Sequence, residues 1–149
     1  MSLLPLVEAL CLPVLYDKSM TILRSLVSVI DDDQSVRESL PDLLAEFGFM
    51  THTFSSAEEF LTSEELSHTQ CLILDVAMQG MSGPELQREL KTRRQEVPII
   101  FITARRDEAL RAQMLEHGAV AYLFKPFSDT ALLEALHVAF RGRWPDFRP

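Results

Sequence analysis

Cys71-Leu72-Ile73-Leu74-Asp75 is a run of apolar side chains that stops on a carboxylate. A strand with one face in water alternates apolar and polar residues. This run does not alternate, so it reads as a strand buried on both faces, as in a parallel sheet covered by helices. Two other stretches share its character: Val27-Ser28-Val29-Ile30 ahead of Asp31-Asp32-Asp33, and Ile99-Ile100-Phe101-Ile102 ahead of Thr103. Working outward, five apolar runs qualify as strands, at Leu26 to Ile30, Phe49 to Phe54, Cys71 to Leu74, Ile99 to Thr103 and Val120 to Phe124.

Helical patterns lie between these runs. Val36, Leu40, Leu43, Leu44 and Phe47 form one apolar stripe, with Gly48 as its stop and Pro41 as a possible kink. Ser56 with Glu59, and Ser82 with Glu85, have the spacing of capping boxes, in which each partner satisfies the other's orphan backbone donor. Leu110, Met114 and Leu115 mark a fourth helix closed by Gly118. Ser128 caps a fifth that carries Leu132, Leu136 and Phe140. Strand and helix thus alternate five times, which predicts a doubly wound α/β fold around a five-stranded parallel sheet.

The 149 residues carry 14 Lys plus Arg against 22 Asp plus Glu, a net charge of −8. That balance argues against direct binding to nucleic acid, which needs a basic footprint. Cys11 and Cys71 form no CxxC pair, which fits a reducing, cytoplasmic setting. The opening MSLLPLVEALCLPVL is apolar, yet Pro5, Glu8 and Pro13 interrupt it well short of the ~20 residues of a membrane span. No Lys or Arg precedes its apolar stretch, so it does not read as a secretory signal. Three readings stay open for residues 1–25: a short amphipathic helix, a disordered leader, or an upstream extension ahead of a natural start at Met20. Residues 26–141 form the domain, and residues 142–149 a tail too short for an output domain.

Ligands of an open parallel α/β sheet bind outside the carboxyl ends of its strands. Those ends hold Asp31, Asp32 and Asp33 after the first strand, Asp75 after the third, Thr103 on the fourth, and Lys125-Pro126 after the fifth. A lone Asp there is ordinarily a helix N-cap, and Asp33 reads as one. A lone Thr is ordinarily strand propensity, and a lone Lys ordinarily surface. Their joint presence on one rim points to chemistry. Clustered carboxylates become tolerable around a hard cation such as Mg²⁺. Asp75 then stands as a carboxylate nucleophile, with Lys125 and Thr103 placed to meet the oxygens of a transferred phosphoryl group.

The segments VSVIDDD, LILDVAMQGMSGPEL, VPIIFITA and GAVAYLFKPF together resemble a response-regulator receiver domain, over about Val27 to Phe140. SSAEEFL and MSGPEL resemble the FixJ-type receivers in particular. The resemblance implies the flavodoxin-like (βα)5 receiver fold of two-component signalling. It implies Asp75 as the phospho-acceptor, and Mg²⁺ held by Asp31, Asp32, Asp75 and the backbone carbonyl of Ala77, with Asp32 the more direct ligand of the acidic pair. It further implies Thr103 as the switch hydroxyl, Lys125 as the family lysine on a cis bond to Pro126, and Tyr122 as the switch aromatic. A sensor histidine kinase is the implied partner, with dimerisation on phosphorylation through the face of the fourth helix, fifth strand and fifth helix. The implied output is transcriptional, and the chain is either stand-alone or cut from a longer regulator.

Two departures stand out. Met78-Gln79-Gly80-Met81 has Gln where such receivers usually have Pro, which frees the loop beside Asp75. The leader before Met20 has no counterpart in a plain receiver. Among rival functions, a haloacid-dehalogenase-type phosphatase needs a second Asp two residues past its nucleophile, where this chain has Ala77. A flavodoxin-like electron carrier needs a Ser/Thr/Gly-rich phosphate loop where this chain is acidic. A pseudo-receiver, working as an interaction module without phosphorylation, is the remaining alternative. On the leading reading the chain is not an enzyme beyond phosphorylating itself from a donor and slowly losing the group.

Overall fold

The computed structural model describes residues 25–141. Its strands are β1 (Leu26–Ile30), β2 (Met50–Phe54), β3 (Cys71–Asp75), β4 (Ile99–Thr103) and β5 (Ala121–Phe124). Its helices are α1 (Gln34–Glu46), α2 (Ala57–Leu61), α3 (Gly83–Thr92), α4 (Glu108–Glu116) and α5 (Asp129–Ala139). The readings of residues 1–24 and of the tail 142–149 lie outside the described residues.

The strands form one sheet in the order β2-β1-β3-β4-β5, with every neighbouring pair parallel. The unbroken apolar runs have the cause expected of them. In β3, Cys71 and Ile73 pack into one apolar cluster with Leu40 and Leu44 of α1 and Leu132, Leu136 and Ala139 of α5. Leu72 and Leu74 point the other way, into a second cluster with Phe60 of α2, Leu86 and Leu90 of α3 and Met114 of α4. Burying each such side chain contributes about 1.5–3 kcal/mol, so a polar residue in either set of β3 would cost core on that face. Among the described residues no helix is long and apolar enough to cross a membrane.

The structure amends the sequence reading at several ends. β2 begins at Met50 and β5 at Ala121, each one residue later than expected, while β3 runs on to include Asp75. α1 continues through Pro41 to Glu46. The Ser82–Glu85 capping box forms in full: Ser82 Oγ accepts from Glu85 N at 3.2 Å, and Glu85 Oε1 accepts from Ser82 N at 2.8 Å. The Ser56–Glu59 box forms only by half. Ser56 Oγ accepts from Glu59 N, but the Glu59 carboxylate turns to Ser55, whose N and Oγ lie at 2.8 and 3.1 Å. Ser55 offers two donors where the Ser56 backbone offers one. The structure also has a short 3-10 turn, Glu64–Ser67, that no apolar periodicity announced.

Candidate functional site

The sheet order changes direction between β1 and β3, which lie side by side at its centre. Ile30 pairs with Leu74, so the next residues of the two strands, Asp31 and Asp75, emerge together on the carboxyl rim. Asp31 is fully buried and Asp75 nearly so, while Asp32 is exposed. One carboxylate oxygen from each of Asp31, Asp32 and Asp75 lies within 4.8 Å of the others. This is an all-oxygen, acidic donor set, which fits a hard divalent cation and no soft one.

Lys125 reaches the group from beyond β5. Thr103 pairs with Phe124, and Lys125 N donates to the Thr103 carbonyl at 2.8 Å, which holds the lysine against the end of β4. Its Nζ donates to Asp31 Oδ2 at 2.7 Å and lies 3.8 Å from Asp75 Oδ1. The Lys125–Pro126 peptide bond is cis. Asp31 Oδ1 accepts from Asp33 N at 2.9 Å, so both oxygens of Asp31 are engaged. Asp33 also caps α1, accepting from Ser35 N at 3.0 Å.

The electrostatics follow from this packing. Burial is the main cause that pushes the Asp75 carboxyl up to about 7. Repulsion from Asp31 adds to it, and the Lys125 ammonium opposes it. For Lys125, burial acts to lower the pKa, but the hydrogen bond to Asp31 and the attraction of Asp75 outweigh it, and the net shift is upward. The hydrogen bonds from the Ser35 hydroxyl and backbone N–H lower Asp33.

Thr103 is buried at the end of β4, and Ile102 beside it pairs with Asp75. Its Oγ1 accepts from Arg105 N at 3.1 Å, so the hydroxyl oxygen is engaged by the following loop. Tyr122 points inward, 4% exposed, between the rings of Phe101 and Phe124. Its hydroxyl is buried without a hydrogen-bond partner, and burial pushes it above the ordinary tyrosine range. Ala77 is exposed, two residues beyond Asp75 in the loop that leads to α3.

Two functional-looking contacts escaped the sequence reading. Arg37, in the first turns of α1, donates from Nη1 to the Asp31 carbonyl at 2.9 Å. Glu58, on α2, accepts at Oε2 from Met81 N at 2.9 Å. Both partners are backbone groups, which leave no mark in side-chain identity. For Arg37 a signal existed, since a long cation six residues past a strand-end Asp can fold back over the helix start.

An open parallel α/β sheet with an acidic pocket and a lysine at its switch point defines a narrow class of domain. The model of the response regulator receiver domain matches residues 27–137, and the chain belongs to that family. The response regulator protein TodT of Pseudomonas putida is 39% identical over 117 residues, 78% of this chain and 52% of that protein. The transcriptional regulatory protein FixJ of Azorhizobium caulinodans is 37% identical over 127 residues, 82% of this chain and 60% of that one. The chain therefore spans only about half the length of such relatives. Among solved structures, the N-terminal part of FixJ superposes with a TM-score of 0.69 at 33% identity, covering 78% of this chain and 94% of that chain. The response regulator StyR gives 0.72 at 42% identity, covering 78% and 59% respectively. The expected receiver fold and FixJ-type kinship are thus established, and with them a regulatory role in two-component signal transduction.

Proposed function

We propose that Asp75 accepts a phosphoryl group from a sensor histidine kinase and that the resulting acyl phosphate switches the domain to control a transcriptional output. The observation that carries this reading is the rim itself: Asp75 beside Asp31 and Asp32, with Lys125 Nζ 3.8 Å from its Oδ1. An oxygen of Asp75 attacks the phosphorus of a phosphohistidine. The P–O bond forms as the P–N bond breaks, and the electron pair leaves on the imidazole nitrogen, which takes a proton. Mg²⁺ would be held by Asp31, Asp32, Asp75 and the Ala77 carbonyl, and when bound it offsets the charge that builds on the phosphoryl oxygens. Lys125 meets one of those oxygens. Thr103 exchanges its bond from Arg105 N for a donation to another, which withdraws the acceptor from the loop after β4 and lets that loop move. Tyr122, already inward, reports the change to the α4-β5-α5 face, where a homodimer forms. Water later hydrolyses the acyl phosphate, and no other reaction is catalysed.

The names of the relatives support a transcriptional output. The net charge of −8 supports a protein partner rather than direct contact of this chain with nucleic acid. The test is intact-mass measurement after incubation with Mg²⁺ and acetyl phosphate, with Asp75→Asn alongside. We expect wild type to gain one phosphoryl group and the variant none. Gain in both would move the acceptor elsewhere. Gain in neither, with no Mg²⁺ binding, would leave an interaction module that works without phosphorylation.

A further inference from the structure

The loop between Asp75 and α3 carries the Ala77 carbonyl and has Gln79 where a proline would have stiffened it. Two ties close it nonetheless. At its base Gly83 N donates to the Val76 carbonyl at 2.9 Å. At its tip Met81 N donates to Glu58 Oε2 at 2.9 Å, across 23 residues of sequence. The second tie is closely fitted. Gly80 has φ +75°, a conformation that favours glycine, and a Cβ on it would stand 2.8 Å from Glu58 Oε2. Glu58 itself sits one residue inside α2, a helix anchored by buried Ala57 and Phe60 and capped by Ser56. The carboxylate is therefore carried on a fixed element, while the loop it grips is held between residues 77 and 81 by that hydrogen bond and by the packing of Met78 and Met81 against the second apolar cluster.

We propose that Glu58 is a positioning residue for the acidic pocket: its carboxylate clamps the loop through Met81 N and so fixes the segment that carries the Ala77 carbonyl, one of the groups that would hold Mg²⁺. The role rests on the receiver chemistry proposed above. It replaces by a side-chain hydrogen bond the stiffness that Gln79 lacks. A glutamine can make the same bond, since its amide oxygen also accepts from a backbone N–H, whereas alanine cannot.

The test compares wild type, Glu58→Gln and Glu58→Ala by two measurements on the full chain: hydrogen exchange of the Met81 amide by NMR, and Mg²⁺ affinity by titration. Glu58→Ala should speed Met81 exchange and weaken Mg²⁺ binding, each by about five- to tenfold, as expected for losing one solvent-exposed hydrogen bond. Glu58→Gln should restore both to within about threefold. A general loss of structure is separated by the amides of β3, whose exchange should not change in either variant. Unchanged Mg²⁺ affinity in Glu58→Ala, with wild type binding normally, overturns the positioning role alone. A glutamine variant as weak as the alanine one overturns the clamp and leaves the charge of Glu58 as the cause. A wild-type chain that binds no Mg²⁺ and takes no phosphoryl group overturns the receiver chemistry and this role with it, whatever Met81 exchange shows.

Discussion

Asp31 is fully buried, and each of its carboxylate oxygens has a donor: Lys125 Nζ at 2.7 Å and Asp33 N at 2.9 Å. A buried carboxylate that loses its cation is costly, on the order of 3 kcal/mol. Lys125→Met keeps most of the side chain's length and removes the charge. It should therefore destabilise the protein by about 3 kcal/mol in urea unfolding, and adding Asp31→Asn should recover much of that loss. Strict additivity of the two substitutions would count against the pairing. Asp75 makes the opposite case. Its carboxyl titrates near 3.8 in an unfolded chain and near 7 in the folded one, chiefly because it is buried. The folded state holds that proton more tightly. The site's contribution to stability is complete below the unfolded value and is lost as pH rises through about 7. Without Mg²⁺, Asp75→Asn should thus raise the thermal midpoint at pH 8 by about 5 °C and by much less at pH 5. A gain that is the same at both pH values would refute the shift.

The helix that follows Asp75 is fixed at its first turn as well as by its core side chains Leu86 and Leu90. α3 starts directly after the loop from Asp75, and its N-terminus is closed by the Ser82–Glu85 box with Pro84 in the first turn. Ser82→Ala should cost about 1 kcal/mol by chemical denaturation. Gly83, the first residue of α3, is packed more tightly: a Cβ there would lie 2.5 Å from the Asp75 carbonyl oxygen and 3.0 Å from Phe101 Cε1. On helix propensity alone Gly83→Ala should stabilise. We expect the reverse, a loss of about 2 kcal/mol or more, because the backbone of β3 cannot give way. A neutral or stabilising result in the same denaturation series would show that α3 can shift off the strand. Legibility differs in the same way at this scale. The Ser82, Asp33 and Ser128 caps were readable because their partners lie two or three residues away. Asp107, which caps α4 by accepting from Leu110 N at 3.0 Å, has the same spacing, but it stands in the charged run Arg105 to Glu108, where a capping Asp looks like any other surface charge. The turn of the Glu59 carboxylate toward Ser55 was not readable, since both geometries fit one sequence pattern.

At the scale of the whole molecule, the pocket is an electrostatic liability of the fold. Three carboxylates converge with one ammonium in a protein whose net charge is already −8. On the proposed function, millimolar Mg²⁺ should raise the thermal midpoint of wild type by a few degrees at pH 8. The same addition should do little for Asp32→Asn or Asp75→Asn. An equal rise in all three proteins would mean that Mg²⁺ acts on the acidic surface at large.

The sequence by itself determined the sheet and its polarity, because strands such as Cys71–Asp75 and Ile99–Thr103 are apolar on both faces, and only a parallel sheet between two helical layers buries both. It also determined the rim, because each polar residue stands where an apolar run ends. The tertiary structure alone decided how those residues meet. Lys125 stands 94 residues from Asp31 and is brought to 2.7 Å from it by the order of the strands. It alone decided that Thr103 is engaged by Arg105 N, that Tyr122 lies inward, and that Glu58 grips Met81. Apolar periodicity records which faces are buried. Contacts to backbone groups, and between residues far apart in the chain, come into being only when the layers pack.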